Sequence, residues 1–248
     1  MRITQLKNLI PLLLSPIFFE LFGQKEIESE DSIMVAGHYK LAMVYLNGDG
    51  VERDYQQAFK WFAQAAKLGH PESQYNLGWM YSSGAGGVQN FSLAAKWYSK
   101  AAEQGITVAQ FNLGRAYHTG EGLTQDFEQA ARWYTLAADK GHAMAQNNLG
   151  MLYHGGKGVP VDYLKAIKWY NHSAQQGSAD AQNNLAIMFA FGKGVPQDYV
   201  KAYAWVIVAK TNGVKNEIFM DYLSSKIPSD QISSAQTLAG KLLAGLMP

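Results

Sequence analysis

The sequence predicts an all-α protein: a solenoid of five stacked helix–loop–helix repeats closed by a C-terminal helical cap. Three observations predict it. Tryptophan recurs every 36 residues, at Trp61, Trp97, Trp133, Trp169 and Trp205. Glycine keeps the same step at Gly69, Gly105, Gly141, Gly177 and Gly213, as does leucine at Leu41, Leu77, Leu113, Leu149 and Leu185. Self-similarity at such a period marks stacked supersecondary units, none of which buries its apolar face alone. The units run 34–69, 70–105, 106–141, 142–177 and 178–213.

The fourth copy shows how one unit is built. Ala145, Leu149, Leu152 and Tyr153 follow helical periodicity and define a first helix. Gly150, with Gly78 and Gly114 at the same place and Ala42 and Ala186 in the outer copies, lies on or beside that stripe. Glycine costs a helix interior about 1 kcal/mol, so its recurrence implies a close approach by a neighbouring helix. The helix stops at Gly156-x-Gly158, a pair present in every copy. A phosphate-cradling loop is the sharper reading of such a pair, but no G-K-[ST] follows it and no strand pattern precedes it. Asp162, matched by Asp54, Asn90, Asp126 and Asp198, reads as the N-cap of a second helix. Tyr163, Ala166, Trp169, Tyr170, Ser173 and Ala174 then trace its buried face, and Gly177 closes it. The Trp and Tyr columns therefore read as inter-repeat core and not as a cofactor box.

The pattern A-x-x-x-L-G-x-x-Y-x-x-G-x-G-V-x-x-D-[YF]-x-x-A-x-x-W-[YF]-x-x-[AS]-A-x-x-G resembles the Sel1-like repeat, a relative of the tetratricopeptide repeat. The tetratricopeptide unit is about 34 residues long; the longer period and the G-x-G turn fit the Sel1-like variant better. The resemblance covers residues 34–213, with Gly87 replacing the usual Val or Leu after the glycine pair and Val206 replacing the last copy's second aromatic. It implies a right-handed α-solenoid and, as a rule, an adaptor role, without fixing one activity.

The flanks differ from the repeats. In residues 1–23, Arg2 and Lys7 precede an apolar run from Leu9 to Phe19, the order of a signal peptide. Pro11 and Pro16 interrupt it and it is short for a membrane span. Export, periplasmic or secreted, is the expectation, with a cytoplasmic chain carrying a packed N-terminal helix as the alternative. Cleavage near Gln24 would leave a mature chain with no membrane span. Residues 24–33 are polar and read as a linker. After Gly213 the repeat fails, and residues 214–248 read as a cap of two helices, one around Ile218 to Leu223 and one after Pro228.

Composition narrows the functions. A net charge of +1, with 17% charged residues, carries no polybasic signature and weighs against nucleic-acid binding. Cysteine is absent, which excludes disulfides and thiolate metal sites. No G-x-S-x-G, S-x-x-K or H-E-x-x-H occurs, so no catalytic residue, cofactor or metal is expected and the chain reads as a non-enzyme. His118 and His154 share a column, but a repeat apart they are too distant to share a zinc and read as solvated.

A protein or peptide partner is the expected ligand. Asn76, Asn112, Asn148 and Asn184 form a column, with Lys40 in the first copy, beside the variable column Met43, Trp79, Arg115, Met151 and Ile187. On the first helix these positions would line the concave surface of a helical-repeat protein. An Asn amide suits the backbone of an extended peptide; equally, each Asn would bond an adjacent repeat and hold the stack together. Tyr39, Tyr75, Trp79 and Met151 change from copy to copy and are the candidates for selectivity. Two other functions compete: a structural stabiliser of an envelope complex binding through its convex face, and an enzyme acting on cell-wall or β-lactam-like compounds. The enzyme is linked to a cysteine-rich branch of the family whose cysteines this chain lacks.

Overall fold

The computed structural model describes residues 30–245. The signal-peptide-like segment 1–23, most of the linker and the last three residues lie outside them. Twelve α-helices and no strand occur among the described residues. The repeats supply α1 (Glu30–Asn47) and α2 (Tyr55–Lys67), α3 (Pro71–Ser83) and α4 (Phe91–Glu103), and α5 (Thr107–Thr119) and α6 (Phe127–Asp139). The last two pairs are α7 (Ala143–Gly155) with α8 (Tyr163–Gln175), and α9 (Ala179–Ala190) with α10 (Tyr199–Thr211). Each helix packs on the next along the chain, which makes an α-solenoid. Beyond it come α11 (Glu217–Ser224), a single 3-10 turn and α12 (Ile232–Leu243). Leu223, Ile227 and Ala235 pack against Ala186, Ala202 and Val206, and Ala239 packs against Ala204 and Val208, so the two helices cover the end of the fifth repeat. The first helix starts at Glu30, four residues inside the segment read as linker. No described helix is long and apolar enough to cross a membrane.

Local chemistry sets each hairpin. The Asp/Asn column caps every second helix: Asp54 accepts from the N–H groups of Gln56 and Gln57 at 2.9 and 3.0 Å, and Asp162 and Asp198 accept from Lys165 and Lys201 at 2.9 Å. The same residues' own N–H groups return to the first helix, as from Asp126 to the Tyr117 carbonyl at 2.9 Å. The two loop glycines have different tasks. The first takes the left-handed conformation that ends the first helix, with φ +80° at Gly120 and +64° at Gly156. The second is a joint between repeats. A methyl group on Gly86, Gly122 or Gly158 would collide with the backbone of Tyr55, Phe91 or Phe127, where the previous second helix begins. Gly50, in the first repeat, meets nothing within 4 Å.

The deepest core is a tyrosine seated on a glycine. A Cβ on Gly78, Gly114 or Gly150 would come within 2.8, 2.7 and 2.7 Å of the rings of Tyr98, Tyr134 and Tyr170. Each hydroxyl reaches a polar partner one turn further along the first helix: Ser82 Oγ at 3.1 Å, His118 Nδ1 at 3.4 Å and His154 Nδ1 at 3.5 Å. The outer repeats replace all three residues together, with Ala42, Phe62 and Leu46 in the first and Ala186, Val206 and Ala190 in the fifth. The tryptophans are shallower than their periodicity suggested. They are half-buried, and lysines lie over Trp61, Trp97 and Trp169 at 5.6, 5.0 and 5.5 Å from the ring centres. Adjacent aromatics on a helix point about 100° apart; the Tyr position faces its own repeat's first helix, while Trp133 packs on the cluster around Tyr98 and Ala101 of the preceding repeat.

A column that the sequence reading passed over ties successive repeats. Gln74, Gln110, Gln146 and Gln182 are buried, and their Nε2 atoms donate to the carbonyls of Ala66, Ala102, Ala138 and Ala174 at 3.2, 3.1, 3.0 and 3.1 Å. These last-turn carbonyls also accept from the N–H groups of Gly69, Gly105, Gly141 and Gly177, so each glutamine is a second donor at a helix end. Three of the glutamines are themselves engaged, by Gln104, Gln176 and Asn212 at 2.7, 2.8 and 2.9 Å. At the remaining joint Lys140 occupies the donor's place. Its Nζ donates to the Gly105 carbonyl at 2.7 Å, and Gln110 Oε1 stays buried without a partner.

Two substitutions test these joints. Gly158→Ala and Gly50→Ala both force a side chain into positive φ, worth about 1 kcal/mol. Only the first also drives a methyl into backbone, so its loss in urea unfolding is expected to be at least about twice as large; equal losses contradict the joint. Lys140→Gln supplies the missing donor and is expected to stabilise the chain by about 0.5–1.5 kcal/mol. An unchanged or lower unfolding midpoint would show that Gln110 Oε1 costs nothing as it stands.

Candidate functional site

Stacking uses one side of every first helix and leaves the other open. Spacings of four, three and four residues place Glu72, Asn76, Trp79 and Ser83 on one face of α3, and Val108, Asn112, Arg115 and Thr119 on that of α5. Met144, Asn148, Met151 and Gly155 follow on α7, and Asp180, Asn184 and Ile187 on α9, with Phe191 just beyond. Val108, Met144, Met151 and Phe191 are 38%, 57%, 45% and 53% exposed, an apolar share unusual for residues outside a repeat's packing pattern.

The asparagine column divides. Asn76 and Asn112 donate at 2.9 Å to carbonyls one turn back in their own helices, Glu72 and Val108. Asn184 instead donates to Asn147 Oδ1 of the preceding repeat at 3.0 Å, and Asn148 lies beside the Tyr134 hydroxyl of the preceding repeat. Two of the four amides thus bond within their own helix, and two face the preceding repeat. Tyr39 and Tyr75 are half-buried. The Tyr39 ring lies 4.7 Å from that of His70, the N-cap of α3, and the Tyr75 ring 6.0 Å from that of Tyr98. Phe111 continues the column by stacking on His142 at 4.5 Å, and Asn147 and Asn183 end it. Met43 and Trp79 pack partly against the first core cluster, whereas Arg115 and Met151 are exposed.

Two histidines read as solvated are half-buried parts of this surface. Around the Tyr134 hydroxyl lie His118, Asn148 and the charge of Arg115. Burial pushes the Tyr134 hydroxyl up to about 12, against the opposing pull of Asn148 and Arg115. One repeat on, His154 lies under the Tyr170 hydroxyl, and its Nε2 is 2.9 Å from Lys193 Nζ. A lysine has only protons to donate, so His154 is the acceptor and is neutral there. Burial first, then the charges of Lys157 and Lys193, hold His118 and His154 below the ordinary histidine value. The signal for this lay in the loops, where Lys157 and Lys193 stand between the two glycines of the following repeat. Among the described residues no group of three or more His, Cys, Asp or Glu side chains is placed to hold a metal ion.

The histidine shifts fix a pH dependence. Both folded values lie below the unfolded value, about 6.5, so the stabilisation is complete above that pH and is lost as the pH falls through the folded values. Thermal midpoints are expected to drop between neutral and mildly acidic buffer, and to drop less in His118→Gln/His154→Gln. An equal drop in the double variant would assign the acid sensitivity elsewhere.

Residues 35–70, 71–106, 107–142, 143–178 and 179–213 each match the Sel1 repeat. No curated protein matches the chain significantly. Among solved structures, a protective antigen present in uropathogenic Escherichia coli strains and displaying an SLR fold is 34% identical, with a TM-score of 0.73. That match covers 86% of this chain and 46% of the antigen, so the chain spans less than half of the antigen's length. A Sel1 repeat protein from Oxalobacter formigenes is 30% identical with a TM-score of 0.70, and the match covers 86% of this chain and 85% of that one. Five repeats in unbroken register, with the loop glycines and tyrosines seated as described, place the chain in the Sel1 repeat family.

Proposed function

We propose that the chain is a non-enzymatic adaptor that holds an extended protein or peptide segment along the open face of α3, α5, α7 and α9. One observation carries this reading: the glycine and glutamine columns that join the repeats keep their chemistry from copy to copy, whereas the column beside the asparagines on the open face does not. Trp79, Arg115, Met151 and Ile187 share one column yet differ in size, shape and charge. Stacking therefore asks nothing particular of them, and selectivity for a ligand has the freedom to set them. Sel1 repeats commonly mediate protein interactions, which fits this reading.

Arg115→Ala with Met151→Ala tests it most cleanly, because neither side chain is buried in a joint. For a partner recovered from the native cell, the pair is expected to weaken binding by about 30-fold, the scale of central interface residues, at an unchanged melting temperature. Trp79→Ala, half-buried in the first cluster, is expected to lower both affinity and stability. Undiminished binding by the Arg115/Met151 variant moves the partner to another surface. Export is part of the proposal and rests on Arg2, Lys7 and the apolar run that follows; the antigen relative fits it. The chain isolated from its own cell is then expected to begin near Gln24, and an intact Met1 on soluble cytoplasmic protein would reject export.

A further inference from the structure

The residue between the two loop glycines runs Asp49, Ala85, Glu121, Lys157, Lys193 along the five repeats. The last two copies are therefore basic where the earlier ones are acidic or neutral. Each lysine reaches back to the preceding repeat. Lys157 Nζ lies 5.3 Å from the centre of the Phe127 ring, and Lys193 Nζ lies 2.9 Å from His154 Nε2 and 5.7 Å from the centre of the Tyr163 ring. Neither meets a carboxylate. The ion pairs of the described residues are His70–Glu72, Lys165–Asp162, Lys201–Asp198 and Lys210–Glu217. Arg115, on the open face, has no carboxylate within ion-pair reach either. Asp162 and Asp198 are thus committed to other lysines, while Lys157 and Lys193 are held by π faces and, for Lys193, a neutral acceptor. Glu121 lines the recess of Arg115, Tyr98 and Asn112, so the positive charge of the loop column belongs to the third and fourth joints.

Resting on the adaptor reading above, we infer that the segment held on the open face is acidic, with carboxylates that pair with Lys157 and Lys193 at successive joints. Consecutive repeats are spaced by roughly 10 Å, a helix-packing distance, and an extended chain advances about 3.3–3.6 Å per residue. The two acidic residues of the ligand therefore stand about three positions apart. Apolar residues flank them, because the face between and beyond the lysines offers Met151, Ile187 and a platform of near-parallel rings. In that platform Phe191, Phe219 and Tyr222 lie with centroids 6.3–6.5 Å apart and planes within 18°, and Ile218 beside them is 86% exposed. Charge complementarity selects this occupant over a basic or neutral segment, which would leave Lys157 and Lys193 without a carboxylate.

Selection of random extended peptides on the immobilised full chain tests the inference. Enriched sequences are expected to carry two Asp or Glu residues about three positions apart beside an apolar residue. A synthetic representative is expected to lose affinity about tenfold or more in high salt and in Lys157→Glu/Lys193→Glu. It should lose little in Lys165→Glu/Lys201→Glu, which makes the same charge change at lysines already paired with Asp162 and Asp198. Should the first variant fail to fold, Lys157→Gln/Lys193→Gln takes its place with a smaller expected loss. Equal losses in the two lysine pairs overturn the inference, since they indicate only general attraction. Neutral or basic binders that need Arg115 and Met151 also overturn it while leaving the adaptor reading standing. No enrichment at all overturns both.

Discussion

The stack depends on one close approach, the second loop glycine lying against the backbone where the previous repeat's second helix begins. At Gly86, Gly122 and Gly158 there is no room for even a methyl group, and at Gly194 a Cβ would fall 2.6 Å from the Tyr163 side chain. At the first three the contact joins backbone to backbone, so it tolerates no compensating change of side chain and fixes the register of each repeat on the last. The first repeat supplies the control. Gly50 has open space around it, and His38, which holds the place of the bonded glutamines, keeps a buried Nδ1 without a partner. Both residues occupy joint positions with no preceding repeat among the described residues to join.

Within each repeat the side chains change as sets. Where the first helix carries glycine, a tyrosine lies flat on it and its hydroxyl finds Ser82, His118 or His154; where it carries alanine, Phe62 or Val206 fills the space and the hydroxyl's partner becomes apolar. A buried hydroxyl without a partner is costly, which is reason enough for the three positions to vary together. A second trend runs along the chain. The aromatic column Tyr39, Tyr75 and Phe111 gives way to Asn147 and Asn183, which accept hydrogen bonds from Asn184 and Asn216. Over the same repeats the loop residue turns from acid to lysine, so the two ends of one repeating architecture present different chemistry on one continuous face.

Much of this was legible in the sequence because it is periodic. The hairpins, the Asp/Asn caps and the close approach at Gly78, Gly114 and Gly150 follow from spacing and residue type. Depth was not legible. Trp133 and Tyr134 are neighbours on the same broad stripe, and periodicity does not say which of them faces its own repeat. The glutamine column was hidden by its polarity, since Gln146 is buried only because it completes the last turn of the helix before it. His118 and His154 looked solvated for the same reason: their partners, Tyr134, Tyr170 and Lys193, are distant in sequence. Of the candidate face, Arg115 and Met151 stand open, while Tyr39 stacks on the next repeat's N-cap, His70, and Tyr75 lies by Tyr98 of its own repeat.

The claim that matters most is that stacking leaves the first-helix face free to bind, and the methionines are natural probes of it. Met144 and Met151 are exposed on that face, whereas Met80 and Met188 are buried in the joints. With methionine methyl groups labelled for NMR, a saturating peptide ligand is expected to shift Met144 and Met151 and to leave Met80 and Met188 in place. Unmoved Met144 and Met151 signals, with Met220 of the cap shifting instead, would contradict the account.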